Sequence, residues 1–363
     1  MSPSADVARA HTDAHGIVDA GEDASRGWFF DALLDASSRA ERSAGLRERF
    51  LRVAGFTVAL RFRGPALEEI LWSAFAHLAC EQVASPDLAI AFWDDSSTGI
   101  VTPEPPGSPG RVGLDFVDGP VRLAWEPSRR ALSGYDPARR LGLVRFPDAS
   151  NVEAWERSAP ARRVLHWWAA DHGCQLVHAS AVGTPDGGVL LAGRGGSGKS
   201  TTALACIGSG LGYAADDYCL VSPGGERRVH SLYGTGKADA GSIERLPGIR
   251  SAFERSTLRV AGKTVIGVAQ EFPAAMIASM PLRAVVVPRL GASTPRLSPI
   301  APVAALRALA PSTMMQLPGD RAGTLDRLAR LVRGLPCFEL ELGADPADAV
   351  LLLAGVARGE VAP

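Results

Sequence analysis

The residues from Gly193 to Thr201 have the types and spacing of a loop that binds phosphate groups. Gly193 and Gly198 are separated by four residues, Lys199 and Ser200 follow directly, and the apolar run 188–192 precedes the loop. Glycines let backbone N–H groups turn inward around phosphate oxygens, and the start of a following helix favours negative charge. The predicted nucleotide-binding residues are Gly193, Gly195, Gly196, Ser197, Gly198, Lys199, Ser200 and Thr201.

Two of these side chains have a predicted task at the phosphates. We expect Lys199 to reach the β- and γ-phosphates of a triphosphate and Ser200 to bind its magnesium ion. The alternative is a Gly/Ser-rich turn before an ordinary helix. Strand, loop and helix occur in the order that the motif requires, so the sequence favours nucleotide binding.

A pair of adjacent acids follows the loop. Asp216 and Asp217 stand between the apolar segments 212–215 and 218–221, where carboxylates are costly to bury unless a metal or a donor satisfies them. A parallel strand beside the loop strand would bring both acids to the edge of the sheet where ligands bind. Phosphoryl transfer needs one carboxylate to hold magnesium and often another to accept a proton. The alternative is a solvated turn.

Three further side chains are candidates for the same site. His178 lies in the predicted strand 176–182, a hairpin away from the phosphates, and is either a core histidine or a donor to phosphate. Arg289 ends the apolar run 282–288, where a guanidinium could bind phosphate in a bidentate manner. Lys237 could neutralise a transferring phosphoryl group or be a solvated lysine.

Composition limits the classes of partner. Lys plus Arg is 38 and Asp plus Glu is 39, so no overall field favours nucleic acid or an anionic membrane. Residues 1–25 have no apolar core and are predicted to be a disordered lead rather than a signal peptide. The five scattered cysteines indicate buried thiols in a reducing cytoplasm. The expected location is cytoplasmic, with no nucleic acid and no membrane as partner.

Periodicity predicts the elements that position these residues. In the first half we expect one or two helices over 28–49, a strand over 51–62 with a break at Gly55, a helix over 66–78, and a strand over 88–93. A loop over 102–110 and antiparallel strands at 112–117, 121–125 and 141–146 follow. All seven tryptophans precede the phosphate loop; their role is core packing or the lining of a substrate groove.

The second half has a helix over 155–172, a strand over 176–182, and a helix over 201–209 after the phosphate loop. The pattern then predicts a buried strand over 282–289, a loop over 311–319, a helix over 322–333, a strand over 337–342 and a closing helix over 346–357. The chain is therefore divided into the lead 1–25, an α+β domain over 26–158 and an α/β domain over 159–363.

His178, the phosphate loop and the pair Asp216-Asp217 together resemble the nucleotide-binding core of HPr kinase/phosphorylase, whose fold is related to phosphoenolpyruvate carboxykinases. The resemblance covers about 176–221 and is closest to HPr-kinase-like serine kinases of ribosomal peptide biosynthesis, including lasso peptides. It implies a P-loop catalytic domain that uses ATP and Mg²⁺. It also implies that one acid is the proton acceptor and the other lies near the metal, which we assign as Asp216 and Asp217 respectively.

The sequence departs from that family at two points. Ala179 stands where the family usually has glycine, and the loop that grips a protein substrate has no counterpart. The expected acceptor is therefore a Ser or Thr hydroxyl of a peptide or protein, or a small-molecule alcohol. The predicted catalytic residues are Asp216, Lys199, His178 and Arg289, and the predicted metal ligands are Ser200 and Asp217.

The sequence is compatible with two functions. The first is a kinase that transfers the γ-phosphoryl group of ATP to such a hydroxyl, with the domain over 26–158 recognising the acceptor. The second is a nucleotide-gated peptide-binding protein without phosphoryl transfer. Self-association is plausible because related kinases form hexamers.

Overall fold

The computed structural model describes residues 23–105, 114–118, 120–222, 225–317 and 319–361. In the first half the strands form one sheet and the helices pack beside it. Its strands are β1 (Leu46–Val53), β2 (Phe56–Arg63), β3 (Leu88–Asp94), β4 (Leu114–Asp118), β5 (Val121–Glu126), β6 (Ala131–Asp136) and β7 (Leu141–Phe146). Its helices are α1 (Asp23–Ala44), α2 (Pro65–Leu71), α3 (Asp95–Thr98), α4 (Ala154–Ser158) and α5 (Arg162–Asp171).

The N-terminal sheet has seven strands in the order β1-β2-β3-β7-β6-β5-β4. Strand β3 is parallel to β2 and β7, and β4 to β7 form an antiparallel meander. Phe30, Leu33 and Ala36 of α1 are buried in a cluster with Trp93 and Trp125, so the helix covers one face. This mixture of helices and a mixed sheet is an α+β arrangement.

Several element boundaries in this half differ from the predictions. Residues 46–49 belong to β1 rather than to a helix, and the predicted helix over 66–78 is α2 followed by two 3₁₀ turns. Strand β6 was not predicted. Of the predicted lead, residues 1–22 lie outside the described residues and 23–25 begin α1. Residues 106–110 of the predicted loop, and 112–113 of the predicted strand, also lie outside them.

The predicted helix over 155–172 is two helices. Helix α4 ends at Ser158 and α5 begins at Arg162, with Ala161 in the left-handed region at φ 53°. The break follows from Pro160, because proline disfavours helical backbone at the residue before it. This break places Trp155 and Arg162 on separate helices.

The second half of the chain contains the strands and helices that follow α5. Its strands are β8 (Gln175–His178), β9 (Ser180–Thr184), β10 (Gly187–Leu191), β11 (Gly212–Ala215), β12 (Tyr218–Ser222), β13 (Arg228–His230), β14 (Thr235–Ala238), β15 (Arg259–Val260), β16 (Lys263–Gly267), β17 (Ser279–Leu290), β18 (Arg296–Pro299) and β19 (Cys337–Leu342). Its helices are α6 (Lys199–Ala205), α7 (Ala240–Glu244), α8 (Arg250–Arg255), α9 (Val268–Glu271), α10 (Pro302–Gln316), α11 (Arg321–Arg333) and α12 (Pro346–Arg358).

Nine of these strands form one mixed sheet around the long strand β17. Strands β10 and β19 pair with β17 in parallel, whereas β13 pairs with its first residues in antiparallel register. Strands β14, β16 and β15 form a separate small sheet. The α/β class predicted from the sequence is confirmed.

Two segments of the nine-stranded sheet each divide into two strands that pair with different neighbours. The predicted strand over 176–182 is two strands that part at Ala179, since β8 pairs with β12 and β9 with β10. The segment over 212–221 parts at Asp216-Asp217 in the same way, because β11 pairs with β9 and β12 with β8. The prediction that β11 lies beside β10 is wrong, since β9 lies between them. Strand β11 nevertheless runs in the same direction as β10.

The predicted loop over 311–319 is also wrong in part. Helix α10 continues to Gln316 with Pro311 inside it, and Pro318 lies outside the described residues. Buried Leu309, Ala310 and Thr313 hold this helix against the core, which offsets the hydrogen bond that Pro311 cannot donate. The predicted strand over 337–342 and helices over 322–333 and 346–357 are confirmed.

One apolar core joins the two halves. Phe62, Phe75 and Leu71 of the first half share a buried cluster with Tyr218 and Tyr233 of the second half. Four tryptophans, Trp93, Trp125, Trp167 and Trp168, are buried, which supports core packing as their role. All five cysteines are free, and burial raises the pKa of Cys206 to about 12. Within the described residues, no helix has both the length and the apolar character to cross a bilayer.

Candidate active site

The loop between β10 and α6 adopts backbone conformations that glycine favours. Gly193, Gly196 and Gly198 have φ angles of 156°, 79° and 98°. A Cβ atom at Gly198 would lie 2.4 Å from Cδ1 of Leu342, and one at Gly193 would lie 2.7 Å from Oγ of Ser197. The loop conformation therefore depends on glycine at two positions for both backbone and space.

Lys199 closes this loop. Its side chain is buried, and its Nζ donates to the carbonyl oxygens of Gly193 at 2.6 Å and Arg194 at 3.1 Å. Burial lowers the pKa of Lys199. Ser197 Oγ is buried without a hydrogen-bond partner in the described part of the chain. The loop thus holds an ammonium group that donates to two carbonyl oxygens. It also holds the Ser197 hydroxyl, which can bind a ligand.

Asp216 joins the acid pair to the phosphate loop. Its Oδ1 accepts hydrogen bonds from Ser180 Oγ at 2.6 Å and from Ser200 Oγ at 2.8 Å, and its Oδ2 accepts from the backbone N of Lys237 at 3.3 Å. Burial and the neighbouring Asp217 raise the pKa of Asp216, although the two serine donors oppose this. Ser180 was not among the predicted site residues; its only signal in the sequence is a hydroxyl two residues after His178.

Asp217 is held differently. It has φ 66°, an uncommon value for a residue other than glycine, and such conformations are frequent at functional sites. Its carboxylate forms an ion pair with Lys237 Nζ, and Nε2 of His178 lies 3.7 Å from its Oδ1. Burial alone would raise the pKa of Asp217, but His178 and Lys237 outweigh it and hold the pKa well below the ordinary value.

Two cavities flank these groups. The first, the loop cavity, is about 770 Å³ and is lined by Gly193, Arg194, Gly196, Ser197, Val287, Pro288, Arg289, Leu290, Gly291, Ala292, Arg307, Ala308, Pro311, Ser312 and Glu341. The second, the junction cavity, is about 500 Å³ and is lined by Glu126, Arg129, Trp155, Ser158, Arg162, Arg163, Asp217, Tyr218, Lys237, Val260, Met315 and Gln316. The loop cavity therefore reaches the phosphate loop, and the junction cavity reaches Asp217.

The predicted site residues are divided between these places. His178 is buried beside Asp217, and its ring centroid lies 5.6 Å from that of Tyr218. Arg289 lies in the loop cavity and pairs with Glu339 at 3.3 Å, so the structure does not bring it to the acid pair. Lys237, for which the sequence left two roles open, contacts Asp217 directly.

The residues present fit a magnesium ion that also binds phosphate oxygens. Among the described residues, no group of three or more His, Cys, Asp or Glu side chains could hold a metal alone. A hydroxyl and a buried carboxylate oxygen already lie 2.8 Å apart at Ser200 and Asp216. Magnesium in phosphoryl-transfer sites commonly takes one or two protein ligands and completes its shell with waters and phosphates.

Comparisons with known proteins add little to this geometry. No family model and no curated protein matches the chain. A solved structure to which the chain is similar is that of the Hpr(Ser) kinase/phosphatase from Coxiella burnetii, with 14% identity, 51% of this chain and 95% of that chain covered, and a TM-score of 0.28. A TM-score of 0.28 is too low to support a shared activity, so the function must follow from the site itself.

Proposed function

We propose that the protein is a kinase that uses ATP and magnesium to phosphorylate a hydroxyl group of a peptide, a protein or a small molecule. The contact that carries this proposal is the 2.8 Å hydrogen bond from Ser200 Oγ to Asp216. It joins the phosphate loop to an acid pair, and the second acid, Asp217, lines a separate cavity. This arrangement suits phosphoryl transfer, in which one carboxylate holds the metal at the phosphates and another accepts the proton of the attacking hydroxyl.

Ser200 and Asp216 are the residues that would hold magnesium. The ion, when bound, would neutralise charge on the phosphate oxygens. Asp216 suits this role because it already accepts a hydrogen bond from Ser200, and because a cation would remove the cost of its buried charge. This reverses the roles assigned from the sequence, in which Asp217 was the acid nearer the metal.

Asp217 is then the proton acceptor. Its carboxylate lines the junction cavity and is ionised at neutral pH because its pKa is low. Lys237 holds this carboxylate in place, and an incoming phosphate would compete for the same ammonium group. A carboxylate that is released in this way becomes more basic as the acceptor hydroxyl approaches it.

The cations of the site have separate positions. Lys199, Lys237 and Lys263 are the only lysines of a chain in which Lys plus Arg is 38, and two of the three lie at the phosphate loop and the acid pair. An ammonium on a flexible stem can exchange a carbonyl or carboxylate partner for phosphate without a fixed bidentate geometry. Arg194, Arg289 and Arg307 line the loop cavity, where they would bind the nucleotide rather than the transferred group.

The test is transfer of label from γ-labelled ATP. An extract of the source cells and magnesium are incubated with the labelled ATP and one purified protein. That protein is the wild type, Lys199→Ala, Asp216→Asn or Asp217→Asn. We expect label on an acceptor with wild-type protein and a loss of about 10²- to 10⁴-fold with each variant. The exposed turn residue Asp186 provides a matched control, Asp186→Asn, which should transfer label normally.

The dependence on magnesium separates the two acids. Asp216→Asn should need a higher magnesium concentration for half-maximal residual transfer, whereas Asp217→Asn should lower the maximal rate without that change. The opposite pattern would return the roles to the original assignment. If ATP binds to wild-type protein and no acceptor is labelled, the nucleotide-gated binding protein becomes the better interpretation.

A further inference from the structure

A third cavity, the inner cavity, lies next to the junction cavity in the first half of the chain. It encloses about 300 Å³ against β6, β7 and the segment 147–156. Five residues line both the inner and the junction cavity. They are Glu126, Arg129, Trp155, Arg162 and Arg163.

The wall between the two cavities is a stack of rings and guanidinium groups. The guanidinium carbon of Arg129 lies 4.3 Å from the centroid of the Trp155 ring, and that of Arg162 lies 4.7 Å from it. Arg162 also lies 5.0 Å from the ring of Tyr218 and donates to its hydroxyl at 2.7 Å. The stack holds Arg162 beside Tyr218, so the guanidinium charge interacts partly with that aromatic ring.

The charges that line the inner cavity are four carboxyl groups and three guanidinium groups. Three of the carboxyl groups have donors. Glu126 accepts from Arg129 at 2.6 Å, Glu153 accepts from Arg129 at 2.9 Å, and Asp148 accepts from the backbone N of Ser150 at 2.8 Å. The fourth carboxyl group belongs to Glu156.

Glu156 differs from the other three. Its Oε2 is buried and has no hydrogen-bond partner among the described residues. Burial raises the pKa of this carboxyl to about 7; Glu126 adds to the shift, and the guanidinium groups of Arg162, Arg129 and Arg163 oppose it. A buried oxygen without a donor is costly, and the cost is removed by a ligand that supplies both a donor and a positive charge.

We propose that the inner cavity binds an alkylammonium group through Glu156, and that this group belongs to the same molecule as the acceptor hydroxyl. The binding site stands on the cavity that Glu156 lines and on the unpartnered Oε2 of the same side chain. The assignment to the acceptor rests on the proposed kinase function, because the inner cavity shares five lining residues with the junction cavity, which Asp217 lines. The acceptor class is therefore a hydroxyl compound with an amine, either a peptide with a lysine side chain or a small amino alcohol.

Binding is tested without any transfer reaction. The thermal midpoint of the full chain is measured at pH 7 and equal ionic strength with n-butylammonium chloride, sodium butyrate or n-butanol. We expect the ammonium probe alone to raise the midpoint, by about 3–4 °C at a probe concentration about 100 times its Kd. Glu156→Gln should abolish the rise, and Glu244→Gln, at an exposed position on α7, should keep it. Equal effects of the three probes, or a rise that survives in Glu156→Gln, would overturn the site.

The acceptor role is tested with pairs of compounds. Serine peptides that carry lysine or norleucine, and 5-aminopentanol against pentanol, are offered with γ-labelled ATP. We expect label only on the members with an amine, and the peptide and alcohol arms identify the source of that amine. Equal labelling within the pairs would refute the acceptor role. If butylammonium binds at Glu156 and neither member is labelled while an acceptor in the cell extract is, the acceptor role is refuted and both the kinase function and the ammonium site remain. If the extract also stays unlabelled, the kinase function fails as well and the ammonium site alone remains.

Discussion

Removal of the Lys237 ammonium should destabilise the protein through Asp217. The two side chains form an ion pair and are only 22% and 20% exposed. Exposed pairs contribute about 0–1 kcal/mol, whereas loss of one partner of a buried pair costs about 3–5 kcal/mol. At one-fifth exposure we expect Lys237→Met to lower the free energy of unfolding by about 2 kcal/mol at pH 7.

The loss should depend on pH in a defined direction. Burial raises the pKa of Asp217, but His178 and Lys237 together depress it below the ordinary 3.8 in the folded protein. The stabilisation is therefore present above pH 3.8 and is lost as pH falls through the folded pKa. The difference between wild type and Lys237→Met should stay constant from pH 7 to pH 5 and shrink below pH 4.

Urea unfolding at pH 7, 5 and 3.5 measures both quantities. A double-mutant cycle with Asp217→Asn should give a coupling free energy of about 1–2 kcal/mol at pH 7. Lys263→Met is the matched control, since Lys263 is half-buried outside the acid pair. A coupling near zero, or a Lys237→Met protein as stable as wild type, would refute the ion-pair argument.

Three further outcomes follow from the loop and the acids. Lys199→Ala should weaken ATP binding by at least about 10-fold in calorimetry, with an unchanged circular dichroism spectrum. Gly198→Ala should lower stability by about 1–3 kcal/mol in urea unfolding, because its φ is 98° and the added Cβ meets Leu342 at 2.4 Å. Burial raises the pKa of Asp216 in the folded protein, so the wild type loses stability as pH rises through that pKa. Asp216→Asn should therefore be the more stable protein in thermal melts at pH 7. It should lose that advantage at low pH.

The sequence predicted the elements whose signals are local. The glycines of the phosphate loop, the strand β19 and the helices α11 and α12 follow from spacing, turn residues and caps along one stretch of chain. The pairing of β8 with β12, and of β9 with both β10 and β11, depends on contacts between distant segments, and no residue pattern within 176–182 marks the point at which the strand divides. The predicted single strand therefore missed the crossing at Ala179.

The same limit applies to the candidate site. Adjacent acids on a strand point in opposite directions, so the sequence located Asp216 and Asp217 without deciding which one meets Ser200. The first contact depends on the packing of α6 against the acid pair, and the contact of Lys237 with Asp217 depends on the packing of β14 beside it. Both join segments that are distant in the sequence. Glu156 and its cavity had no sequence signal, because a glutamate in a short helix is ordinarily solvated.

The core that joins the two halves has a consequence during synthesis on the ribosome. The N-terminal sheet is complete when Phe146 has emerged, but Tyr218 and Tyr233, which share its buried cluster, follow only later. At translation rates of about 5–20 residues per second, the roughly 90 residues between them take about 4–18 seconds. The nascent sheet would expose an apolar face for that period, so chaperone capture should be strongest while the phosphate loop is being made.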